Sequence, residues 1–225
     1  NNTHSFANGV RNGFRSKLRR TPAVFERKTR WKKYDDSLEN LRMDNYKTAA
    51  QNSRALMEKF RLEEQQQRVR ITTMEVAEKE YGVGKIRVAA LLAELKPNLD
   101  WRILHDGSHG VQVNPNVRVR DQHEVPTVAE KHAILSRCRT LGLSRIGLKS
   151  DISDAHRTFK VHRQDQATQA CMIGDNVIIN EVGTQGISSS AYWWARLFSI
   201  ISRIVLYLML DEEFWMLTYA DDQDV

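Results

Sequence analysis

The sequence predicts an α+β fold, and three observations carry the prediction. Apolar residues recur at three- and four-residue steps in the first third of the chain. Short β-branched runs separated by Gly, Asn and Pro punctuate the middle. A long apolar helix pattern near the end stands between two such runs. A helical first part followed by short strands and backing helices reads as α+β.

Taken in order, residues 1–34 read as a basic arm with few apolar anchors. Residues 1–33 carry ten Lys/Arg against Glu26 alone. From Asp36 to Arg70, Leu38, Leu41, Tyr46, Ala49, Leu56 and Phe60 mark one long helix. Thr73–Tyr81 is a second helix, broken at Gly82 and Gly84, and helix is expected to resume over Lys85–Leu95. The pair is also the faint outline of a helix-turn-helix, although two packed helices account for it equally. Pro97-Asn98 marks a turn, Trp101–His105 a strand, and Val111, Val113, Val117 and Val119 a second, alternating strand. Thr127–Cys138 is a helix and Ile146–Ile152 a strand. Cys171–Ile173 and Val177–Val182 flank a turn at Gly174-Asp175-Asn176. Ser188–Leu210 is one buried helix: its strongly apolar part, Phe198–Leu210, is too short to span a bilayer and is interrupted by Arg203, and extending it back to Ile187 adds Arg196 and three serines. Phe214–Tyr219 is a last strand leading into Asp221-Asp222. The expected division is an arm at 1–34, a helical region at 35–84, a mixed region at 85–145 and a sheet-bearing region at 146–225.

Charged residues make up 28% of the chain, hydrophobic residues 41%, and the net charge is +6. The charge is uneven: six acids and no base lie from Asp211 onward. A basic segment and an acidic end suit a polyanion in one place and metal ions in another, while a solvated tail explains the basic run equally well. Two cysteines, Cys138 and Cys171, are too few for a disulfide framework or a zinc site, so an intracellular, reducing setting (cytoplasm or nucleus) is expected. No signal peptide is visible.

The chemistry concentrates in acids at strand ends. Asp151 ends one predicted strand and Asp221-Asp222 another. If the strands pair, the carboxylates converge on hard divalent cations. Two such ions about 4 Å apart can activate a hydroxyl and hold a leaving pyrophosphate. Singly, Asp151 reads as a helix cap and Asp221-Asp222 as turn residues. In this order, with a Gln-Gly turn between them, they read as a site.

Lys149-Ser150-Asp151-Ile152-Ser153-Asp154-Ala155-His156, Asn180-Glu181-Val182-Gly183-Thr184-Gln185-Gly186-Ile187-Ser188-Ser189-Ser190 and Tyr219-Ala220-Asp221-Asp222 resemble three palm motifs of the reverse transcriptases. Trp101-Arg102-Ile103-Leu104-His105-Asp106 resembles a fingers motif of that family. The resemblance covers roughly residues 85–225. It implies fingers and an incomplete palm, an antiparallel sheet backed by helices, preceded by the helical region. It further implies RNA-directed DNA synthesis within a mobile element such as a retrotransposon. Asp151 and Asp221 would hold two Mg²⁺ (or Mn²⁺) ions, with Asp222 assisting. Arg102, and more weakly Lys96, would bind the triphosphate. Gln185 and Gly186 would shape the nucleotide pocket, with His156 beneath the sugar. The family usually carries Tyr or Phe at the His156 position and Pro at that of Thr184. RNA template, DNA or RNA primer and deoxynucleoside triphosphates are the implied partners, with no membrane. The lysine-bearing palm segment, primer grip, thumb and second arm of the acid hairpin are expected to be missing. Two other readings stay open: a degenerate element product that only binds nucleic acid, and an RNA-dependent RNA polymerase.

Overall fold

A computed structural model describes residues 6–144, 146–210 and 212–225. Among them the chain is mixed α/β, with six α-helices and small, mostly antiparallel sheets. In chain order the elements begin with β1 (Ser16–Lys17), β2 (Glu26–Arg27), α1 (Lys47–Gln51), α2 (Ser53–Gln65), β3 (Val69–Thr72) and α3 (Met74–Tyr81). There follow β4 (Leu91–Leu95), β5 (Trp101–His105), β6 (Val117–Arg118), β7 (Asp121–Gln122) and α4 (Val128–Thr140). The last third holds β8 (Lys149–Asp151), α5 (Arg163–Gln166), β9 (Ala170–Ile173), β10 (Asn176–Asn180), α6 (Ser188–Leu208), β11 (Leu217–Tyr219) and β12 (Asp222–Asp224).

The sheet β3-β10-β9 is the centre of the body. Its turn at Gly174-Asp175 makes the predicted hairpin, and Val177↔Met172 and Ile179↔Ala170 fix the register. Both faces are covered, which is why β9 and β10 read as continuous apolar runs instead of alternating. Cys171, Ile173 and Ile178 pack with Leu56 and Phe60 of α2 and Leu91 of β4. Ala170, Met172, Val177 and Ile179 pack on the other face with Ala77, Ile86 and Val88. A third cluster gathers Tyr192, Trp193, Trp194 and Phe198 of α6 around Val111, Val113, Val117 and Phe159.

Several expectations are corrected. The long helix over 36–70 is confined to α1 and α2. Residues 39–46 are mostly extended because their backbone bonds to a neighbouring segment: Met43 N–H donates to Val88 O and Tyr46 N–H to Leu91 O. Val69–Thr72, the end of that pattern, is an edge strand on β10. The helix expected over Lys85–Leu95 is extended chain followed by β4. Arg87 and Ala89 donate to Ala167 and Ala170 carbonyls, and Ile86–Leu91 is buried throughout. The helix-turn-helix outline therefore lacks its second helix. The four valines at 111–119 are all buried, but only Val117 lies in a strand, because Asn114–Asn116 forms a 3-10 turn with Pro115 near its start. The predicted helix at 127–138 stands, capped by Thr127 and Glu130 in a capping box.

The basic segment, expected as an arm, packs into the body in its described part. Val10 bonds to both Lys160 and His162, and Leu18 and Phe25 are buried. Trp193 Nε1 donates to Arg11 O, and Tyr192 Oη to Arg19 O. Residues 1–5 of that arm, and positions 145 and 211, lie outside the described residues. Helix α6 is buried only over its first half. Ile200, Ile204, Tyr207 and Leu208 are exposed, against the expectation of a buried helix. No helix among the described residues is long and apolar enough to cross a membrane.

Candidate functional site

The acid-bearing segments lie side by side in the sheet β11-β12-β8. Asp222 stands directly opposite Asp151 across antiparallel strands. Directly opposed residues project from the same face with Cβ atoms about 5 Å apart. Asp221 occupies the two-residue turn between Tyr219 and Asp222, and its carbonyl accepts from Ile152 N–H at 3.0 Å. β12 is the second hairpin arm expected to be missing; it is present as a short strand and joins the two acid-bearing segments. The turn is anchored from below, where Trp194 Nε1 of α6 donates to Ala220 O at 2.8 Å. Ala220 sits at φ 48, the left-handed region.

Opposed like charges destabilise a sheet, so a cation over this face would relieve Asp151 and Asp222. Carboxylate oxygens are the donors that Mg²⁺ takes, and the donor set fits in kind. Among the described residues, however, no three His, Cys, Asp or Glu side chains are gathered into a metal cage.

His156 is half-buried beside this sheet. Burial lowers its pKa, and the Asp221 carboxylate offsets part of that shift. The ring is therefore neutral at pH 7. Its carbonyl lies against Gly183, where a Cβ would strike it and the Phe159 ring. This close approach holds the segment after Asp154 against the Gln185-Gly186 turn.

That turn is clamped from the side of β5 and the 3-10 turn at Asn114–Asn116. His105 N–H, at the end of β5, donates to Gln185 O at 3.0 Å. Asn114 Nδ2 donates to Gly186 O at 2.7 Å, while its Oδ1 accepts from Ser188 N–H at 2.7 Å. Asn114 thus caps the first turn of α6 from another part of the chain, since Ile187 at the N-cap cannot. Gly186 has φ +104, and a Cβ there would overlap the His105 carbonyl.

Lys96, Arg102 and Gln185 line one narrow cleft of about 60 Å³. Its floor holds Arg157, Asn180, His105 and Thr184. Arg102 is exposed and reaches across to Glu94 at 3.4 Å, a surface pair of little energetic consequence. Lys96 meets Asp100 at 3.4 Å, a carboxylate held more closely by Lys59 at 2.6 Å. Four cations (Lys59, Lys96, Arg102 and Arg157) face two carboxylates, Glu63 and Asp154. Asp151, Asp221, Asp222 and His156 do not line it, so the predicted residues fall into two neighbouring groups.

The sequence assigned no role to Arg157, and none to His105, Asn180 or Asn114 beyond their place in a motif or strand. Arg157 donates to Glu63 Oε2 at 2.6 Å and Asn180 Oδ1 at 2.7 Å, tying α2 to β10. Asn180 Nδ2 approaches His105 Nε2 at 3.1 Å. Burial pushes the His105 pKa down to about 3, with the Arg157 charge adding to it. The neutral ring leaves Nδ1 buried and unpaired, as is Thr184 Oγ1. Asn114-Pro115 fell inside the strand expected over Val111–Val119, and Asn180 opens the second palm-like motif, but nothing in sequence linked them to Gly186 or His105.

No protein-family model matches the chain, and no curated protein is significantly similar to it.

Proposed function

We propose that this chain is the fingers and palm portion of a reverse transcriptase, an RNA-directed DNA polymerase of a mobile element. The observation that carries the reading is the placement of Asp151 opposite Asp222, with Asp221 in the turn beside them. Those acids are the residues on which the sequence resemblance rests, and nothing in their separation by seventy positions of chain requires them to meet.

In this reading two Mg²⁺ ions, when bound, would supply Lewis-acid activation of the primer 3′-hydroxyl and charge neutralisation on the phosphates. Asp151 and Asp221 would hold them, with Asp222 assisting from the adjoining strand. Arg102 and Lys96 bind the triphosphate of the incoming deoxynucleotide. Gly186 lets the backbone approach the nucleotide closely, and Gln185 borders it. The neutral His156 ring sits beneath the sugar as a steric block.

Primer extension on an RNA template, with Mg²⁺ and deoxynucleotides, tests the reading. Synthesis by the chain that Asp221→Ala abolishes is the expected result. Preferential use of ribonucleotides would transfer the assignment to an RNA-dependent RNA polymerase. Salt-sensitive RNA binding with no synthesis would leave a nucleic-acid-binding protein, a second reading favoured by the exposed Arg15, Lys17, Arg19, Arg20 and Arg27 of the basic segment.

A further inference from the structure

A second cationic groove lies elsewhere on the molecule. It has a volume of about 830 Å³ and runs between Phe14-Arg15, the chain after α3, and α5. It shares no lining residue with the Arg102 cleft or with the acid-bearing sheet. Its cations are Arg15, Lys85, Arg87 and Arg163, against Glu80 as the lining carboxylate.

Arg87 is the built part. It is 7% exposed, and its backbone N–H is fixed to Ala167 O at 2.8 Å. Its Nη2 meets Glu39 at 2.5 Å, yet its Nε is buried with no partner. A buried guanidinium with an unmet donor is costly unless something accepts from it. The other cations are loosely engaged. Arg15 reaches Glu39 at 3.5 Å with its side chain 58% exposed. Arg163 meets Glu80 at 3.1 Å, but that carboxylate is already held by Arg70 at 2.6 Å. Lys85 is exposed and makes no side-chain ion pair among the described residues. Both Arg15 and Arg87 lie over the Phe14 ring, at 5.2 and 5.7 Å, which holds two guanidinium groups in one neighbourhood despite their like charge.

Guanidinium forks match phosphate oxygens, and a volume of this size accepts a ligand of several hundred Å³. The Phe14 ring faces Arg15 and Arg87, and the Tyr81 ring faces Arg70 at 5.9 Å, so both of these lining rings already hold cations in place of a base. The chemistry selects phosphate rather than nucleobase. We propose that this groove is a phosphate-binding site that tracks the backbone of a nucleic-acid strand without reading its sequence. The site does not depend on the polymerase reading; it would serve a binding protein equally.

The test uses the whole chain and a fluorescent oligouridylate, with binding followed by anisotropy over a range of salt. The Lys85→Ala/Arg163→Ala double variant changes only exposed side chains, and its melting curve checks that it folds. Each lost phosphate contact to a single strand lowers the slope of log K against log salt by roughly 0.7, so the double variant should lose about 1.4. In parallel, acetylation of Lys85 is read by mass spectrometry with and without ligand. Protection of Lys85 by the oligouridylate, together with the shallower slope, is the expected outcome. An unchanged slope, or a Lys85 that stays reactive under saturating oligouridylate, overturns the proposal. Protection by inorganic triphosphate but not by the oligomer overturns the strand assignment and gives the groove to a free nucleotide.

Discussion

Replacing Gly186 by alanine should damage this protein more than the same change at any exposed turn. Two costs combine. At φ +104 an L-residue is strained by roughly 1–2 kcal/mol. The added Cβ would also overlap the His105 carbonyl oxygen and lie 2.8 Å from its carbonyl carbon. That neighbour is backbone at the end of β5, itself bonded to Gln185, so it cannot swing aside as a flexible side chain would. Forced overpacking adds about 1–3 kcal/mol. The sum is about 3 kcal/mol, or a fall of roughly 6–12 °C in Tm for a chain of this size. Gly174→Ala is the internal control. Gly174 also has positive φ, +57, but nothing lies within 4 Å of its Cβ position. It should lose only about 1 kcal/mol, the backbone share alone. Urea unfolding of the two variants beside the parent measures both. Equal losses at the two positions would refute the claim that the Gln-Gly turn is held by close backbone approach to β5.

Ala220→Gly should stabilise the chain by about 1 kcal/mol in urea unfolding, because Ala220 is held at φ 48 in the acid turn; a loss of stability would show that the turn is not strained there. Asp151→Asn removes one of two opposed carboxylates and should raise stability by roughly 0.5 kcal/mol without divalent cation. The same variant should abolish the Mg²⁺-dependent rise in Tm expected of the parent, and a parent with no such rise would count against a metal at this face. The pH dependence follows from His105, whose pKa falls from 6.5 unfolded to about 3 folded. A depressed folded value means the stability is complete above pH 6.5 and is lost as pH drops from 6.5 toward 3, by up to about 1.4 kcal/mol per pH unit. His105→Gln should flatten that limb of the stability curve; an identical slope in parent and variant would contradict a neutral, buried His105.

How far the sequence could be read depends on what decides each element. The hairpin at 170–180 was legible because β-branched runs flanked a Gly-Asp-Asn turn, and both signals are local. Helix α3 was legible from Thr73, whose side chain accepts from Val76 N–H. The stretch from Lys85 to Leu95 was misread because Ala, Leu, Glu and Lys favour helix when judged alone. There the backbone partners are Leu41, Ala167 and Ala170, remote in sequence, and pairing with them outweighs a propensity of a few tenths of a kcal/mol per residue. The same holds for residues 39–46, which look helical by spacing but bond to residues 88–91.

The candidate site divides along the same line. Sequence by itself determined which residues carry charge and where the turns fall: Asp151 and Asp221-Asp222 at strand ends, Gly186 in a turn, Arg102 in a short strand. Each of these follows from side-chain chemistry and from the φ, ψ preferences of a few adjacent residues. Only the tertiary structure decided that β12 exists and carries Asp222 opposite Asp151, that Lys96, Arg102 and Gln185 share a cleft while the acids stand outside it, and that Asn114 caps α6. Those outcomes rest on hydrogen bonds and burial between segments tens of residues apart. Such contacts are selected by the packing of the whole chain, and no local window of sequence contains the partners that make them.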